Sequence, residues 1–285
     1  DVINLSNANI EDLTLPVNTV CTELYLGGNK LDVSVLTGLV GEIQAMTGLL
    51  FLHLSTAAGT ISTETGQDAA GFGNNLDISA LTSLTEFFAN YCGLTGTLKI
   101  ASTVVELRVE SNDITDLDTG TLGIVDLVWN DNPNLDFDYS RLTAVRTIEA
   151  SNNTSQTVVD LSARTATTDW NDILFSGSTA LTSITFPTTE ARFRRNSGAN
   201  ISTGFFDCTS LTTLTNLEYH NYEGLTSQRV FSAYNCALNI DFKFGQNNWL
   251  PGNTQIQDNA MSVANVDVNL WGFINNRTKW NTFTQ

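Results

Sequence analysis

Apolar residues recur along this chain in one frame: a first, a second three positions on, a third six on and a fourth eight on. Clear copies are Met46/Leu49/Leu52/Leu54, Leu81/Leu84/Phe87/Ala89, Val104/Leu107/Val109, Ile124/Leu127/Trp129 and Leu142/Val145/Ile148/Ala150. Others are Cys21/Leu24/Leu26 and Leu211/Leu214/Leu217/Tyr219. The last members step from Ala89 to Val109, Trp129 and Ala150, gaps of 20, 20 and 21 residues. Two apolar residues around one polar residue make a short half-buried strand. A chain that returns at a fixed interval lays the next strand parallel to the last, and the stacked units share one apolar stripe.

Parallel pairing leaves turn backbone groups in need of partners, and burying them unpaired is costly. Three residues past the strand an Asn or Cys recurs: Asn29, Cys92, Asn112, Asn132, Asn153 and Cys236. An Asn side chain both donates and accepts, so a column of them can satisfy successive turns. Two residues beyond, Leu31, Leu94, Ile114 and Leu238 close the turn. The strings "LYLGGNKL", "LRVESNDI" and "FSAYNCAL" resemble the leucine-rich-repeat pattern LxxLxLxxNxL. The return segments "FSGSTALTSITFP" (175–187) and "FFDCTSLTTLTNLEY" (205–219) resemble BspA-like repeats of bacterial surface and phage-encoded proteins. That resemblance implies a leucine-rich-repeat solenoid: a parallel β-strand stack with irregular or short helical return segments and a C-terminal helical cap. The expected boundaries are a solenoid over 1–244 and a cap over 245–285. Strand register over 155–220 stays open.

Two units are longer than the rest, spanning 28 residues from Leu26 to Leu54 and 35 from Leu54 to Ala89. The first holds "VSVLTGLVGEIQAM", with Val35, Leu39, Ile43 and Met46 on one helical face; the second, "STAAGTISTETGQDAAGFGNN", reads as a loop. Toward the end, "SVANVDVNLWGFINN" (262–276) predicts a helix, with Ser262 a candidate N-cap and Val263, Val266, Leu270 and Ile274 facing inward. Trp249, Trp271 and Trp280 complete the expected cap.

Composition narrows the function. The 285 residues carry a formal charge of −17, which speaks against nucleic acid, whose phosphates need a basic stripe. Residues 1–140 hold 19 acidic and 3 basic side chains, and residues 141–285 hold 11 and 10. There is no long apolar run for a membrane span. A chain that begins at Asp1 fits either a removed signal peptide or an omitted beginning. Low lysine with abundant Asn, Thr and Ser points to an extracellular, cell-surface or virion-surface setting.

Chemistry-bearing motifs are few. His53 and His220 are the two histidines, and His53 points outward between Leu52 and Leu54. No HExxH, GxSxG or phosphate-loop pattern occurs, so no enzyme is expected and no cofactor is implied. Asp131, Asn134, Asp136 and Asp138, and Asp113, Asp116 and Asp118, lack EF-hand spacing and read as turn chemistry before calcium ligands. The cysteines Cys21, Cys92, Cys208 and Cys236 form no CxxC pair and read as buried thiols, so no metal site is expected. Arg192, Arg194 and Arg195 form a basic run. Sequons stand at Asn153, Asn200 and Asn276.

A binding surface is expected on the outward strand residues Tyr25, Phe51, His53, Phe88, Arg108, Val128, Glu149, Leu174 and Glu218. The function they imply is a non-enzymatic surface protein that uses a repeat solenoid to assemble with or bind other macromolecules. The alternative is an adhesin or receptor-binding module for a host protein or glycan. Expected partners are subunits of the same or a neighbouring type, or a host surface protein or glycan.

Overall fold

A computed structural model describes residues 1–16, 19–29, 33–55, 76–118, 122–166, 169–189, 191–192, 202–221, 230–243 and 253–275. The chain divides into two compact units, Asp1–Phe137 and Asp138–Gln285.

In the first unit, short strands pair in parallel in the order β1 (Val2–Asn4), β2 (Glu23–Tyr25), β3 (Phe51–His53), β4 (Glu86–Phe88), β6 (Glu106–Arg108) and β8 (Asp126–Val128). The strands β5 (Thr95–Leu98) and β7 (Asp113–Leu117) form a small side sheet. The central residue of each main strand points inward. Leu24, Leu52, Phe87, Leu107 and Leu127 are register partners, and each is fully buried. Each such side chain contributes roughly 1.5–3 kcal/mol through burial. Helix α1 (Val33–Gln44) fills the longer return before β3, with Leu39 and Ile43 buried one turn apart and Met46 buried beyond its end.

The second unit repeats the scheme with β9 (Thr147–Glu149), β11 (Ile173–Leu174), β14 (Ser202–Gly204), β17 (Val230–Ser232) and β18 (Asn253–Gln255). Beside it lie β10 (Val158–Asp160), β12 (Ser183–Thr185) and β15 (Thr213–Thr215), again parallel, and the pair β13 (Ala191–Arg192) and β16 (His220–Asn221). The strings "LTSIT" and "LTTLT" thus lie side by side in the side sheet, Ile184 against Leu214. Helix α2 (Val263–Asn275) follows β18.

Among the described residues, the turns after β2, β4, β6, β8, β9, β11, β14, β17 and β18 are built one way. The residue before the turn-column position is left-handed: Gly28, Tyr91, Ser111 and Asp131 in the first unit, and Asn152, Gly177, Asp207, Asn235 and Asp258 in the second. At Gly28 and Gly177 a β-carbon would collide with the Oδ1 atoms of Asn7 and Asn152, so side-chain packing as well as backbone angle demands glycine there. Asn112 shows what the column does. Its Nδ2 donates to the carbonyls of Ala89 and Val109, both at 2.9 Å, and its Oδ1 accepts from the backbone N–H of Cys92 and Leu94, both at 3.0 Å. Asn29 does the same for Leu5, Leu26, Ala8 and Ile10.

Several expectations are corrected. The described residues form an α/β protein with a parallel-sheet core, smaller side sheets and two helices, in place of a leucine-rich-repeat solenoid with short helical return segments and a helical cap. The apolar period reports which residues are buried between parallel strands; it carries no information on how the chain returns. The returns prove unequal, and most of them hold extended side strands and turns. Helix α2 is also turned differently from the expectation. Val263 is 79% exposed and Val266 40%, while Asn269 is buried, its Oδ1 accepting from Phe242 N and its Nδ2 donating to Ile240 O. An amide that bonds backbone on both sides outweighs the apolar count of the helix face. Trp249, Trp280, the 56–75 segment, Arg194, Arg195 and the sequons at Asn200 and Asn276 lie outside the described residues, as do the side chains of Val35, Arg192, Leu270, Trp271 and Ile274.

Candidate functional site

In a strand of three residues with a buried centre, the two flanking side chains share the outward face. The first unit therefore presents two columns, rung upon rung. One runs Glu23, Phe51, Glu86, Glu106, Asp126; the other runs Tyr25, His53, Phe88, Arg108, Val128. Neighbouring rungs are about 4.8 Å apart, the ordinary strand spacing.

Rings meet across these columns. Tyr25 and Phe51 lie 4.9 Å apart between centroids, Phe51 and Phe88 5.1 Å apart and edge-to-face, and His53 stands about equally far from Tyr25, Phe51 and Phe88 at 6.0, 6.1 and 6.0 Å. Such pairs add about 0.5–1.5 kcal/mol beyond area burial. All four rings are only half-buried, so they form a fixed surface and not a core.

Charge surrounds the rings. The Tyr25 hydroxyl donates to Glu23 Oε2 at 2.9 Å, and this bond to the carboxylate raises the tyrosine pKa above its ordinary value. Arg108 lies over the Phe88 ring at 5.1 Å while its guanidinium bonds Glu106 Oε1 at 2.7 and 2.8 Å. Burial, with Glu106 and Glu23 nearby, pushes the Glu86 carboxyl up against the opposite pull of Arg108. Burial lowers the His53 pKa. A third outward row adds Asn90, Glu110 and Asn130, where both amides donate to the Glu110 carboxylate at 3.0 Å.

The expected site residues divide. Tyr25, Phe51, His53, Phe88 and Arg108 come together as one patch. Val128 continues the register at the end of the column and is buried, 5% exposed. Glu149 and Leu174 are half-buried on β9 and β11 of the second unit. Glu218 is on no strand: it sits in the short 3-10 turn Leu217–Tyr219, because the strand of that stretch is β15, four residues earlier. The carboxylates Glu23, Glu86, Glu106 and Asp126 went unread in the sequence, although the triplets ELY, EFF, ELR and DLV place each one two residues before an outward position.

Other candidate groups are committed to the interior. His220 is buried, its Nδ1 accepting from Trp170 Nε1 at 3.4 Å and its Nε2 directed at Pro187 O at 3.0 Å. With Nδ1 as acceptor, the ring proton stands on Nε2. The buried Arg164 guanidinium lies 3.9 Å over the Trp170 ring and donates to Val145 O and Ala166 O, with its pKa lowered to about 10 by burial. All four cysteines are free and buried. Cys208 and Cys236 donate to the carbonyls of Phe175 and Phe205, and burial raises their pKa values to about 12 and about 11, so both are protonated thiols. In the aspartate strings, Asp113 accepts from Asn134 Nδ2 at 2.6 Å, and Asp138 accepts from the Ser140 hydroxyl and backbone N–H. Asn153 is buried at its turn, so its sequon offers no surface for a glycan.

Among the described residues no helix is long and apolar enough to cross a membrane. No protein-family model matches the chain, and no curated protein matches it. The likeness to leucine-rich-repeat and BspA-like surface or phage-encoded proteins is corrected accordingly: the short strings that carried it describe a parallel strand followed by a left-handed turn. The function built on that likeness, a surface or virion component assembling through repeat coils or an adhesin of that architecture, is corrected with it, because a sheet-rich α/β core in two compact units stands in place of the repeat scaffold.

Proposed function

We propose that this protein is a binding module whose working surface is the outward face of β2, β3, β4 and β6, and that its partner is a protein presenting a basic segment. One observation carries the reading: four half-exposed rings held rigidly in van der Waals range, bordered by the carboxylates of Glu23, Glu86, Glu106 and Asp126. Rings on a preorganised sheet lose little freedom on binding, and aromatic side chains dominate interface energetics. The carboxylates favour cationic partners and disfavour phosphate backbones, in keeping with the net charge of −17.

A binding role without catalysis or cofactor belongs to the same proposal. It is supported by the make-up of the patch, whose rings meet one another and whose carboxylates are engaged with Tyr25 and Arg108. An extracellular, cell-surface or virion-surface setting is a further part, supported by the acidic, lysine-poor composition.

The test is fluorescence anisotropy with a labelled arginine- and lysine-rich peptide and an acidic peptide of equal length. The basic peptide is expected to bind, more weakly as salt rises, and to lose roughly tenfold in affinity on Phe88→Ala. Equal binding of the two peptides, or full binding by the Phe88 variant, would reject the surface.

A further inference from the structure

The patch contains its own example of the ligand chemistry. At the Phe88 end, a guanidinium lies over a ring and bonds a carboxylate on the same face: Arg108 with Phe88 and Glu106. The Phe51 end has the same parts without the cation. Phe51 stands in register between Glu23 on β2 and Glu86 on β4, so carboxylates flank its ring on both neighbouring strands. Among the described residues, no lysine or arginine forms an ion pair with Glu86 or stacks on Phe51.

We infer that the Phe51 ring, between the carboxylates of Glu23 and Glu86, is a seat for one arginine side chain of the partner. The inference rests on the binding face proposed above and names the group that docks there.

Geometry favours arginine over lysine. A guanidinium is planar and stacks on a ring while its edge N–H groups reach a carboxylate in the ring plane; an ammonium is a compact, strongly hydrated charge that does one or the other. Glu23 is already turned toward the Tyr25 hydroxyl, which leaves Glu86 as the principal acceptor. The charged and titratable groups that act on Glu86 are Glu23 and Tyr25 on β2 and Glu106 and Arg108 on β6. The two glutamates and burial hold its pKa up. A docked cation reverses that imbalance, so binding releases a fraction of a proton wherever the raised Glu86 carboxyl is still partly protonated.

The experiment compares two otherwise identical basic peptides, one with arginine and one with lysine at every cationic position, on the wild-type chain and on Glu86→Gln and Phe51→Leu. Calorimetry in two buffers of different ionisation enthalpy reads affinity and proton release together. The arginine peptide is expected to bind the wild type about two- to fivefold tighter than the lysine peptide. Both substitutions should erase that preference, and Glu86→Gln should also abolish proton release. A preference that survives either substitution would overturn the seat. Equal binding of the two peptides to the wild type would do so as well, while leaving the broader face intact. Failure of both peptides to bind the wild type would instead remove the binding face itself.

Discussion

The two units solve the same turn with different atoms. In the first, amide side chains dominate the column: Asn29 makes four bonds to backbone, two donated and two accepted, and Asn112 adds a third donated bond, to Glu110 O. In the second, Ser178, Cys208 and Cys236 occupy successive rungs between the amides of Asn153 and Asn259, whereas Cys92, donating to Leu54 O, is a lone thiol rung among the described turns of the first. Ser178, Cys208 and Cys236 each donate to the carbonyl of the preceding strand end, at Ala150, Phe175 and Phe205. A hydroxyl also accepts, as Ser178 does from Asn153 N, but a thiol accepts poorly. The outward faces differ more. The first unit stacks rings and carboxylates and holds 18 acidic against 3 basic residues, while the second holds 12 against 10. The corresponding register positions on its strands are Glu149, Leu174, Gly204, Ser232 and Gln255, of which Gly204 and Ser232 are buried. The buried side of both units follows from packing a parallel sheet; the outward side is where the units depart from each other, and the proposed binding face lies there.

The sharpest way to break this comparison is to remove an amide and a thiol in turn. Asn112→Ala strands the Ala89 carbonyl and the N–H groups of Cys92 and Leu94 in a buried turn, while Val109 O keeps its bond from Asn132 Nδ2, and is expected to cost about 3 kcal/mol or more, read as a loss of stability in urea unfolding of the intact chain. Cys208→Ala forfeits one weak donor and leaves a small void, for about 1–2 kcal/mol. Equal losses would show that the column works by packing alone.

How much of this was legible in the sequence follows the same division. Leu52, Phe87 and Leu107 recur in a frame that only parallel strands satisfy, and their burial was readable from that frame. So was the amide column, because Asn112 and Asn132 stand at a constant distance from the strand. The return path was not readable. "LTSIT" and "LTTLT" carry an alternation of their own and pair with each other, which moved the expected strand from 213–215 to 217–219 and Glu218 with it. For the site, the aromatic column was found by looking for exposed rings. The carboxylate column was missed because a charged strand residue looks like ordinary solvent-facing chemistry until the register sets Glu86 beside Phe51.

A smaller effect sharpens the outward contrast. Glu86 has its folded pKa raised, so its ionised form opposes folding: its contribution is most favourable at low pH and is lost as pH rises from the ordinary glutamate value through the raised one. Glu86→Gln is therefore expected to stabilise the chain near neutrality by roughly 0.2–1 kcal/mol, the scale of like-charge pairs on adjacent strands, and to do nothing once acid has protonated the wild-type carboxyl. Thermal unfolding of both proteins from about pH 3 to about pH 7, a range that spans ordinary carboxylate titration, checks the sign. Destabilisation at neutral pH would mean that Glu86 already has a cation in the free protein.

The most direct measurement of the central claim is amide-resolved NMR during titration with the basic peptide. The account predicts shifts concentrated at residues 23–25, 51–53, 86–88 and 106–108, with the second unit silent. Shifts centred on residues 138–285, or spread evenly over the chain, would contradict it.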